Sequence, residues 1–387
     1  MARPNIILVT LDGLRADAIG CAGEFGGRTP NIDALAASGV RFENAITPFP
    51  EEDGGGWACL SGESPEFPPT EGARPATPNA PWILPDHLRE TGYDTCAAVA
   101  TQPDSRATAF AAVRAPTEES HEADLAAWIG DQAVRFCQVA RAPFFLWAAF
   151  PALRLPFNAA GCGNPIPPAK IKIPPDLAPD AGARPRRAAL YRRRALLAGY
   201  HAAIAHADRQ LGRLLATLTA RGHTNNVIVM TSGHGLDHAS LEPEHDPPAT
   251  RLTDPRLRAP LIIAGLAGQR RNAVETALVS VADIVPALLE ISGVDAAAAP
   301  RSRPLLPLLA GKKHAGRPFT TFQGAGRAAG VRTPRYKWVV LPGGLGEMLY
   351  DLQVDPREMH NLWDSRRATA IRRMLLGIVQ REARIPP

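Results

Sequence analysis

Carboxylate and imidazole side chains follow two apolar runs of the sequence. Asp12 comes directly after NIILVTL, and His234, Asp237 and His238 follow NVIVMT in the segment TSGHGLDHAS. In open α/β sheets ligands bind beyond the carboxyl ends of the strands, so side chains placed there can reach one ligand. Because carboxylate oxygen and imidazole nitrogen both ligate divalent cations, an aspartate and a histidine from two strand ends could share a metal ion.

The same residues have a simpler interpretation. Asp12 would cap a helix beginning near Leu14 by accepting backbone N–H bonds, and the histidines would be ordinary loop residues. Spacing alone favours this second interpretation, so the pattern by itself leaves the metal site open.

The elements that would carry these side chains are short apolar, β-branched runs that alternate with amphipathic segments. This alternation predicts an α/β fold, with a large, mainly parallel sheet sandwiched by helices. The predicted strands are 5–11, 95–100, 144–150, 226–231 and 260–264, and the predicted helices are 31–37, 82–91, 122–140, 187–221 and 281–292. The longest helix has apolar residues at helical spacing and should pack by that stripe.

The pattern changes after about Lys313. Short alternating strands are predicted at 320–323, 329–332, 337–341 and 348–351, followed by a helix over 366–384. We therefore predict two units, an α/β domain at 1–312 and a C-terminal subdomain at 313–387 with a small antiparallel sheet and a helix. The proline-rich segments 65–81 and 164–185 are expected to be irregular.

Composition excludes several classes of protein. Hydrophobic residues make up 45% and charged residues 21% of the chain, which excludes a disordered chain or a coiled coil. The five cysteines are never spaced as CxxC, which predicts reduced thiols. No signal peptide is visible, and no apolar stretch approaches the roughly 18 to 20 residues of a membrane span. We therefore expect a cytoplasmic protein with no membrane partner.

The arginine-rich run RPRRAALYRRRALL, 184–197, raises the question of nucleic-acid binding. It starts an amphipathic helix with an intact apolar stripe, and Tyr191 is its single aromatic residue. A solvated helix face is the better interpretation, and no nucleic-acid partner is expected.

Five stretches occur in one order along the chain. They are NIILVTLDGLRADAIGCAG with RTPNIDALAASGVRFENAITPFP, then NNVIVMTSGHG, RLRAPLIIAG, VSVADIVPALLEISGV and RYKWVVLPGGLGEMLYDLQVDPREMHNLWD. In this order they resemble the sulfatase family of the alkaline phosphatase superfamily, over essentially the whole chain. The resemblance implies a large α/β domain with a small C-terminal antiparallel sheet, and sulfuric ester hydrolysis as the family reaction.

The nucleophile motif that the resemblance implies is missing. Sulfatases resemble one another in a C/S-x-P-S-R segment after the NAxTP stretch, whose cysteine or serine is oxidised to formylglycine. Here EEDGGGWACLSG follows without a gap, which places Glu52 at the nucleophile position and Gly56 at the arginine position. Cys59 lacks the following pattern. We therefore expect no formylglycine, and the glycines 54–56 predict a flexible loop that would hold a catalytic group poorly.

The metal-binding positions of the resemblance are partly kept. Asp12 matches the first metal-binding aspartate, and His234 matches the second residue of the later pair, in which Gly233 replaces the aspartate. Arg154 occupies the place of a substrate-contacting histidine. Calcium takes about six to eight oxygen ligands, so the loss at Gly233 shifts the expected metal preference from calcium toward zinc-like ions.

The active-site lysines of the family have no counterpart. No lysine occurs before Lys170, and none occurs between Lys172 and Lys312. Sulfate-ester cleavage needs an activated nucleophile, a divalent cation and cationic residues over the leaving group. The favoured hypothesis is therefore a non-catalytic pseudoenzyme with a binding or structural role, whose partner is a protein or an anionic small molecule.

The alternative hypothesis is a divergent metal-dependent hydrolase of sulfate or phosphate esters. In it Asp12, Glu52 and His234, with Asp237 and His238 as further candidates, hold one divalent ion that activates water. This hypothesis explains why Asp12 and His234 remain in the sequence.

Overall fold

The computed structural model shows how these segments are arranged. It describes the residues 3–23, 25–51, 54–65, 67, 83–100, 109–116, 124–151, 153–155, 157, 166–178, 187–237, 241, 252–294, 303, 305–324 and 328–382.

Three apolar strands form the centre of an eight-stranded sheet. β1 (Asn5–Leu11) pairs in parallel with β5 (Phe144–Phe150) on one side and with β6 (Asn226–Thr231) on the other. Every residue of β1 is buried, as expected of a strand covered on both faces. The predicted fold class and the bounds of these three strands are confirmed.

Five further strands extend the sheet on both sides. They are β2 (Gly39–Ile46), β3 (Asp94–Val99), β4 (Ala112–Arg114), β7 (Leu261–Ala264) and β8 (Ala273–Ser280). The order across the sheet is β4-β3-β5-β1-β6-β7-β2-β8. Strand β7 is antiparallel to both of its neighbours, and the other adjacent pairs are parallel. The sheet is therefore mainly parallel.

Helices cover both faces of this sheet and enclose two apolar cores. They are α1 (Pro30–Ser38), α2 (Gly54–Ser61), α3 (Ile83–Glu90), α4 (Leu125–Val139), α5 (Arg187–Ala220), α6 (Asp254–Leu257), α7 (Ile284–Ile291) and α8 (Leu306–Leu309). The long helix α5 buries Leu197, Ile204, Leu211 and Leu214 of the predicted stripe. This packing fixes α5 against the sheet, since apolar burial is the main source of helix stability in a folded domain.

A second, four-stranded antiparallel sheet follows in the chain. It has the order β12-β11-β10-β9, formed by β9 (Thr320–Gln323), β10 (Ala329–Arg332), β11 (Tyr336–Val340) and β12 (Glu347–Asp351), and is followed by α9 (Ala368–Glu382). Trp338, Leu349 and Leu375 share its own apolar cluster. The predicted small sheet and C-terminal helix are confirmed, and the boundary between residues 312 and 313 stays a prediction.

Three strands of the large sheet were not predicted. Strands β2, β4 and β8 belong to it, although no apolar run in the sequence predicts a strand there. β2 and β8 carry polar residues at several positions, and β8 and β4 lie at the two edges of the sheet. Edge strands need no continuous apolar run, because only part of their surface is covered.

The prediction of a flexible loop at the three glycines is wrong. Residues 54–56 form the first turn of α2. A Cβ at Gly56 would lie 2.9 Å from Trp147 Cζ2, so this glycine allows the helix to approach the tryptophan ring on β5. The buried residues Ala58, Cys59 and Leu60 supply the packing that overrides the weak helix propensity of glycine.

The arginine run at the start of α5 is only partly solvated. Arg192 is exposed, whereas Arg193 is buried, because it lies four residues before Leu197 on the apolar face of the helix. Four cysteines within the described ranges, Cys21, Cys59, Cys96 and Cys137, are free thiols. A search of the described helices finds none that is long and apolar enough to cross a membrane.

Candidate functional site

The carboxyl ends of β1 and β6 bring two predicted site segments together. Because these strands are parallel neighbours, the residues after them leave the sheet at the same edge. Asp12 Oδ1 accepts a hydrogen bond of 2.6 Å from the Gly233 amide, and Gly13 forms an isolated parallel bridge with Gly235. Leu14 does not begin a helix but lies in a turn closed on Leu11, so the helix-capping interpretation of Asp12 is not supported.

Two glycines permit the close approach of loops at this edge. Gly13 has a φ of 79°, and a Cβ there would lie 2.7 Å from the Leu153 carbonyl oxygen. A Cβ at Gly235 would collide with the Pro255 carbonyl oxygen. The backbone of three separate segments therefore meets at a site in which no side chain fits at these two positions.

His234 is held in one orientation inside this edge. Its side chain is 7% exposed, and Nδ1 lies 3.1 Å from the Gly235 carbonyl oxygen. Because a carbonyl only accepts hydrogen bonds, Nδ1 carries the proton and Nε2 presents a lone pair. Nε2 is buried and has no hydrogen-bond partner among the described residues, so in this tautomer its lone pair is not used by the protein.

Asp237 lies in the same loop but pairs with a cation. Its side chain is buried, and Asp237 Oδ1 lies 3.7 Å from Arg256 Nη1. Arg256 is 5% exposed; its Nε donates to the Pro50 carbonyl at 2.9 Å, and Nη2 lies 3.7 Å from Glu51 Oε2. The guanidinium thus lies between two carboxylates at the edge of the site, where it offsets their repulsion.

Arg256 lies in the site, although no sequence pattern predicts it there. Its role depends on contacts with Pro50 and Asp237, which are distant in sequence and show no spacing pattern. Arg15 was missed for the same reason: it donates to Asp17 and Asp176 and to the Leu236 carbonyl. A buried guanidinium between carboxylates forms only when the chain folds, so the number and spacing of arginines in the sequence do not predict it.

Cys59 lies below the site in α2 and is not an activated thiol. Burial raises the pKa of the Cys59 thiol well above its usual range, and the negative charge of Asp12 raises it further. Because the thiolate is the reactive form, Cys59 stays protonated and unreactive. This agrees with the sequence, which gives Cys59 no maturation motif.

Of the remaining predicted site residues, the structure describes Arg154. Arg154 is exposed just after β5, and the neighbouring Leu153 amide donates to the Asp12 carbonyl at 2.7 Å. The backbone at Arg154 is therefore tied to the site. Glu52 and His238 lie outside the described residues.

The described donors fit a divalent ion only in part. If the Asp12 carboxylate and the His234 Nε2 lone pair faced one ion, they would supply one oxygen and one nitrogen donor, a mixed set of the kind that suits zinc-like ions better than calcium. Within the described ranges, no group of three or more histidine, cysteine, aspartate or glutamate side chains is arranged to hold a metal ion. A complete metal shell would therefore require donors from elsewhere, such as Glu52, His238 or solvent.

Two family models match the chain. The Sulfatase model matches residues 4–294, and the model described as N-sulphoglucosamine sulphohydrolase, C-terminal, matches residues 250–383. Together they cover both sheets.

Individual relatives are distant. The sulfatase YidJ of Escherichia coli (strain K12) is 25% identical over a 451-residue alignment that covers 96% of this chain and 85% of that protein. The Ulvan-active sulfatase of Formosa agariphila is 24% identical, over 76% of this chain and 62% of that protein. An arylsulfatase of Clostridium perfringens is 44% identical over 48 residues, which are 12% of this chain and 10% of that protein.

Solved structures share the fold. A phosphonate monoester hydrolase from Silicibacter pomeroyi superposes with a TM-score of 0.77 at 19% identity, covering 99% of this chain and 96% of that chain. The 2-O GAG sulfatase BT1596 superposes with a TM-score of 0.74 at 22% identity, covering 99% and 93%. At such identities the likeness concerns the fold alone.

Proposed function

The chain belongs to the sulfatase family, within the alkaline phosphatase superfamily, and from that premise we propose that it is a non-catalytic member. Its site binds an anionic small molecule or a partner protein and does not cleave a sulfate ester through formylglycine. The sequence supports this through Glu52 at the nucleophile position and through the absence of lysine from the first 169 residues.

One structural observation carries the proposal. The position of the motif arginine is Gly56, and a Cβ there would lie 2.9 Å from Trp147 Cζ2. The ring is itself fixed, because Trp147 Nε1 donates to Thr10 Oγ1 at 3.1 Å. An arginine at position 56 would have to displace this buried ring, so packing as well as sequence opposes the C/S-x-P-S-R motif.

Two arginines, Arg154 and Arg256, support the proposal that the ligand is an anion. Arg154 is exposed beside the site, and Arg256 lies inside it. Guanidinium groups recognise carboxylate, sulfate and phosphate groups through paired N–H donors. Arg154 is exposed whereas Arg256 is buried, so an anion arriving from solvent would reach Arg154 first.

The test is an activity measurement under conditions that favour the family reaction. The protein, co-expressed with a formylglycine-generating enzyme, is assayed with a chromogenic aryl sulfate beside a heat-killed sample and the Asp12→Ala variant. We expect the three rates to be equal, and Glu52→Cys alone to recover no turnover, because Gly56 and the missing lysines remain. Turnover above the heat-killed sample that Glu52→Gln abolishes would overturn the proposal.

A second candidate function is favoured by His234. Its proton is placed on Nδ1, and the buried Nε2 is available as a ligand atom. In a divergent metal-dependent hydrolase of sulfate or phosphate esters, Asp12 and His234 would hold one zinc-like ion with Glu52, Asp237 or His238. The bound ion would lower the pKa of a water molecule and so supply the nucleophile.

Metal analysis of the purified protein separates the two candidates. The hydrolase requires a stoichiometric divalent ion that His234→Ala removes, together with ester turnover that a chelator abolishes. The non-catalytic protein shows no turnover, with or without added zinc. The cytoplasmic location stays a prediction that neither measurement addresses.

A further inference from the structure

A short segment, residues 252–258, lies between the small sheet and the candidate site. The segment is hydrogen-bonded to the loop after β6 that carries His234 and Asp237, because the Gly235 amide donates to the Arg256 carbonyl at 2.8 Å. The Pro255 carbonyl fills the space where Gly235 would carry a Cβ, and the Arg256 guanidinium lies 3.7 Å from Asp237. The segment therefore forms one wall of the candidate site.

Side chains of the small sheet and the turn after it hold the same segment from the other side. Lys337 Nζ donates to the Leu252 carbonyl at 2.8 Å. Arg332 donates from Nε and Nη2 to the two carboxylate oxygens of Asp254, at 3.0 and 3.1 Å. Glu358 accepts from the Asp254 amide at 3.1 Å and forms an ion pair with Lys337.

These charges are removed from water. Lys337 is 0% exposed, and Arg332 and Asp254 are 4% and 5% exposed. A buried ion pair adds little net stability, because the loss of hydration of each ion offsets their attraction. Apolar contacts already cover this interface, where Leu252 and Val339 belong to one cluster. The charged groups instead fix the position of the segment 252–258, because each hydrogen bond forms only over a narrow range of distances and angles.

Glu358 shows that the backbone also conforms to this network. Its φ is 58°, in the left-handed region that residues other than glycine seldom adopt. Such a conformation persists when the surrounding contacts hold it in place. The ion pair with Lys337 and the bond from the Asp254 amide are the contacts that do so here.

We propose that Lys337 is a positioning residue for the candidate site. Its bond to Leu252 and its ion pair with Glu358 fix the segment 252–258, and that segment fixes the Gly235 backbone and the side chain of Asp237. The proposal concerns the geometry of the site, and it holds whether or not the site turns over a substrate.

The effect extends from the segment to His234. The Gly235 amide is held by the Arg256 carbonyl, and the Gly235 carbonyl in turn accepts from His234 Nδ1. When the segment moves, the carbonyl that fixes the proton on Nδ1 moves with it. The imidazole then exchanges between its two tautomers instead of keeping one.

The test compares Lys337→Met with a matched control in the turn that precedes β11. Methionine keeps the apolar stem of the lysine and removes its charge. The control is Arg335→Met, because the Arg335 guanidinium donates to Asp351, which lies outside the segment 252–258. Two signals are measured on folded, full-length protein: hydrogen exchange of the Gly235 amide relative to the Val229 amide in β6, and the nitrogen NMR spectrum of the His234 ring.

We expect Lys337→Met to speed Gly235 exchange, relative to Val229, by about tenfold or more, as local opening does. The His234 spectrum should change from one tautomer to an average of two, and Arg335→Met should alter neither signal. A merely structural lysine would accelerate both amides in proportion to the global loss of stability and leave the tautomer unchanged. That result would overturn the proposal.

A double variant keeps the test decisive if Lys337→Met does not fold. Lys337→Met with Glu358→Gln removes both charges and leaves an amide oxygen to accept from the Asp254 amide, so no unpaired ion remains buried. The bond to Leu252 is still lost. We expect the same relative acceleration at Gly235, and unchanged relative exchange with a single His234 tautomer would refute the positioning role.

Discussion

The Gly233 amide donates a hydrogen bond of 2.6 Å to Asp12 Oδ1, so an N–H group faces this carboxylate. The sulfatase family places a second carboxylate at the position of Gly233, where two negative charges together attract a cation. Here the backbone amide satisfies one oxygen of Asp12, and no side chain is available at position 233 to ligate an ion. Glycine at position 233 therefore leaves this point of the site without a side-chain carboxylate, while its backbone amide donates to Asp12.

The first prediction concerns the metal preference of this edge. In wild-type protein, calorimetry should show calcium binding weaker than zinc binding, because Asp12 and His234 offer one oxygen and one nitrogen donor. Gly233→Asp adds a carboxylate and should raise calcium affinity by about tenfold or more, the direction expected for a hard cation. The control is Gly233→Asn, which adds a side chain without charge. Tight stoichiometric calcium binding by the wild type, abolished by Asp12→Ala, would contradict this prediction.

The sequence predicts the centre of the fold better than its edges. Strands β1, β5 and β6 have the predicted bounds, because a run buried on both faces must be apolar throughout. Strands β2 and β8 escaped prediction, since GVRFENAI and AVETALVS include polar residues that a partly covered strand tolerates. Their place in the sheet depends on contacts with β7 and with each other, which no local pattern records.

The candidate site likewise contains residues whose position the sequence predicts and residues whose position it does not predict. The placement of Asp12 and His234 at one edge of the sheet could be predicted, because they follow the recognisable strands β1 and β6, which are parallel neighbours. Arg256 and Lys337 could not, because their function arises from partners such as Asp237 and Leu252 that the chain brings close only after folding. The glycines at 54–56 show the limit of propensity, since they form the first turn of α2 and the buried residues Ala58, Cys59 and Leu60 supply the packing of that helix.

The second prediction tests the buried ion pair of Arg332 and Asp254. Arg332→Met leaves the Asp254 carboxylate buried beside fewer cations and should lower the free energy of unfolding by roughly 3 to 5 kcal/mol. Arg332→Met with Asp254→Asn removes both charges and should recover part of that loss. Urea denaturation measures each variant. Arg335→Met is the matched control, because its ion pair is half exposed on the arginine side and should contribute much less to stability. Equal losses for the two arginine variants would refute this difference.

The third prediction uses the pH dependence of stability at His201. Burial lowers the pKa of His201 from 6.5 to about 4. The unfolded chain therefore binds a proton that the folded protein does not, so this residue's contribution to stability is present above pH 6.5 and is lost as the pH falls toward 4. Its size is roughly 3 kcal/mol. His201→Leu should remove this contribution, so the difference in unfolding free energy between wild type and variant should change across that window. A constant difference from pH 4 to 7 would contradict it.

The fourth prediction concerns Glu358, whose pH dependence has the opposite sign. Burial raises the pKa of Glu358 from 4.5 to about 7, although the Lys337 charge opposes the rise. The folded protein then binds more protons than the unfolded chain between these values, so stability falls as the pH rises from 4.5 through 7. Glu358→Gln should remove this fall. The pH range of this effect overlaps that of His201, and the two effects have opposite signs. The unfolding free energy of the wild type should therefore change little with pH over this range. Each single variant should reveal the pH dependence that the other residue causes. Parallel profiles for wild type and Glu358→Gln would refute the shift.

The last prediction contrasts two helical glycines. Gly56→Ala in α2 places a Cβ 2.9 Å from Trp147 Cζ2, and since that ring is anchored by its bond to Thr10, the overpacking should reduce stability by roughly 1 to 3 kcal/mol. Gly377→Ala in α9 meets nothing closer than the flexible end of Arg381, at 3.8 Å. There the gain in helix propensity should raise stability by about 1 kcal/mol. Thermal unfolding of the two variants provides the measurement, with tryptophan fluorescence reporting whether the ring moves in Gly56→Ala. A stabilising Gly56→Ala would mean that Trp147 yields readily, and the packing argument against an arginine at position 56 would then fail, leaving the missing nucleophile and lysines as the remaining support for a non-catalytic protein.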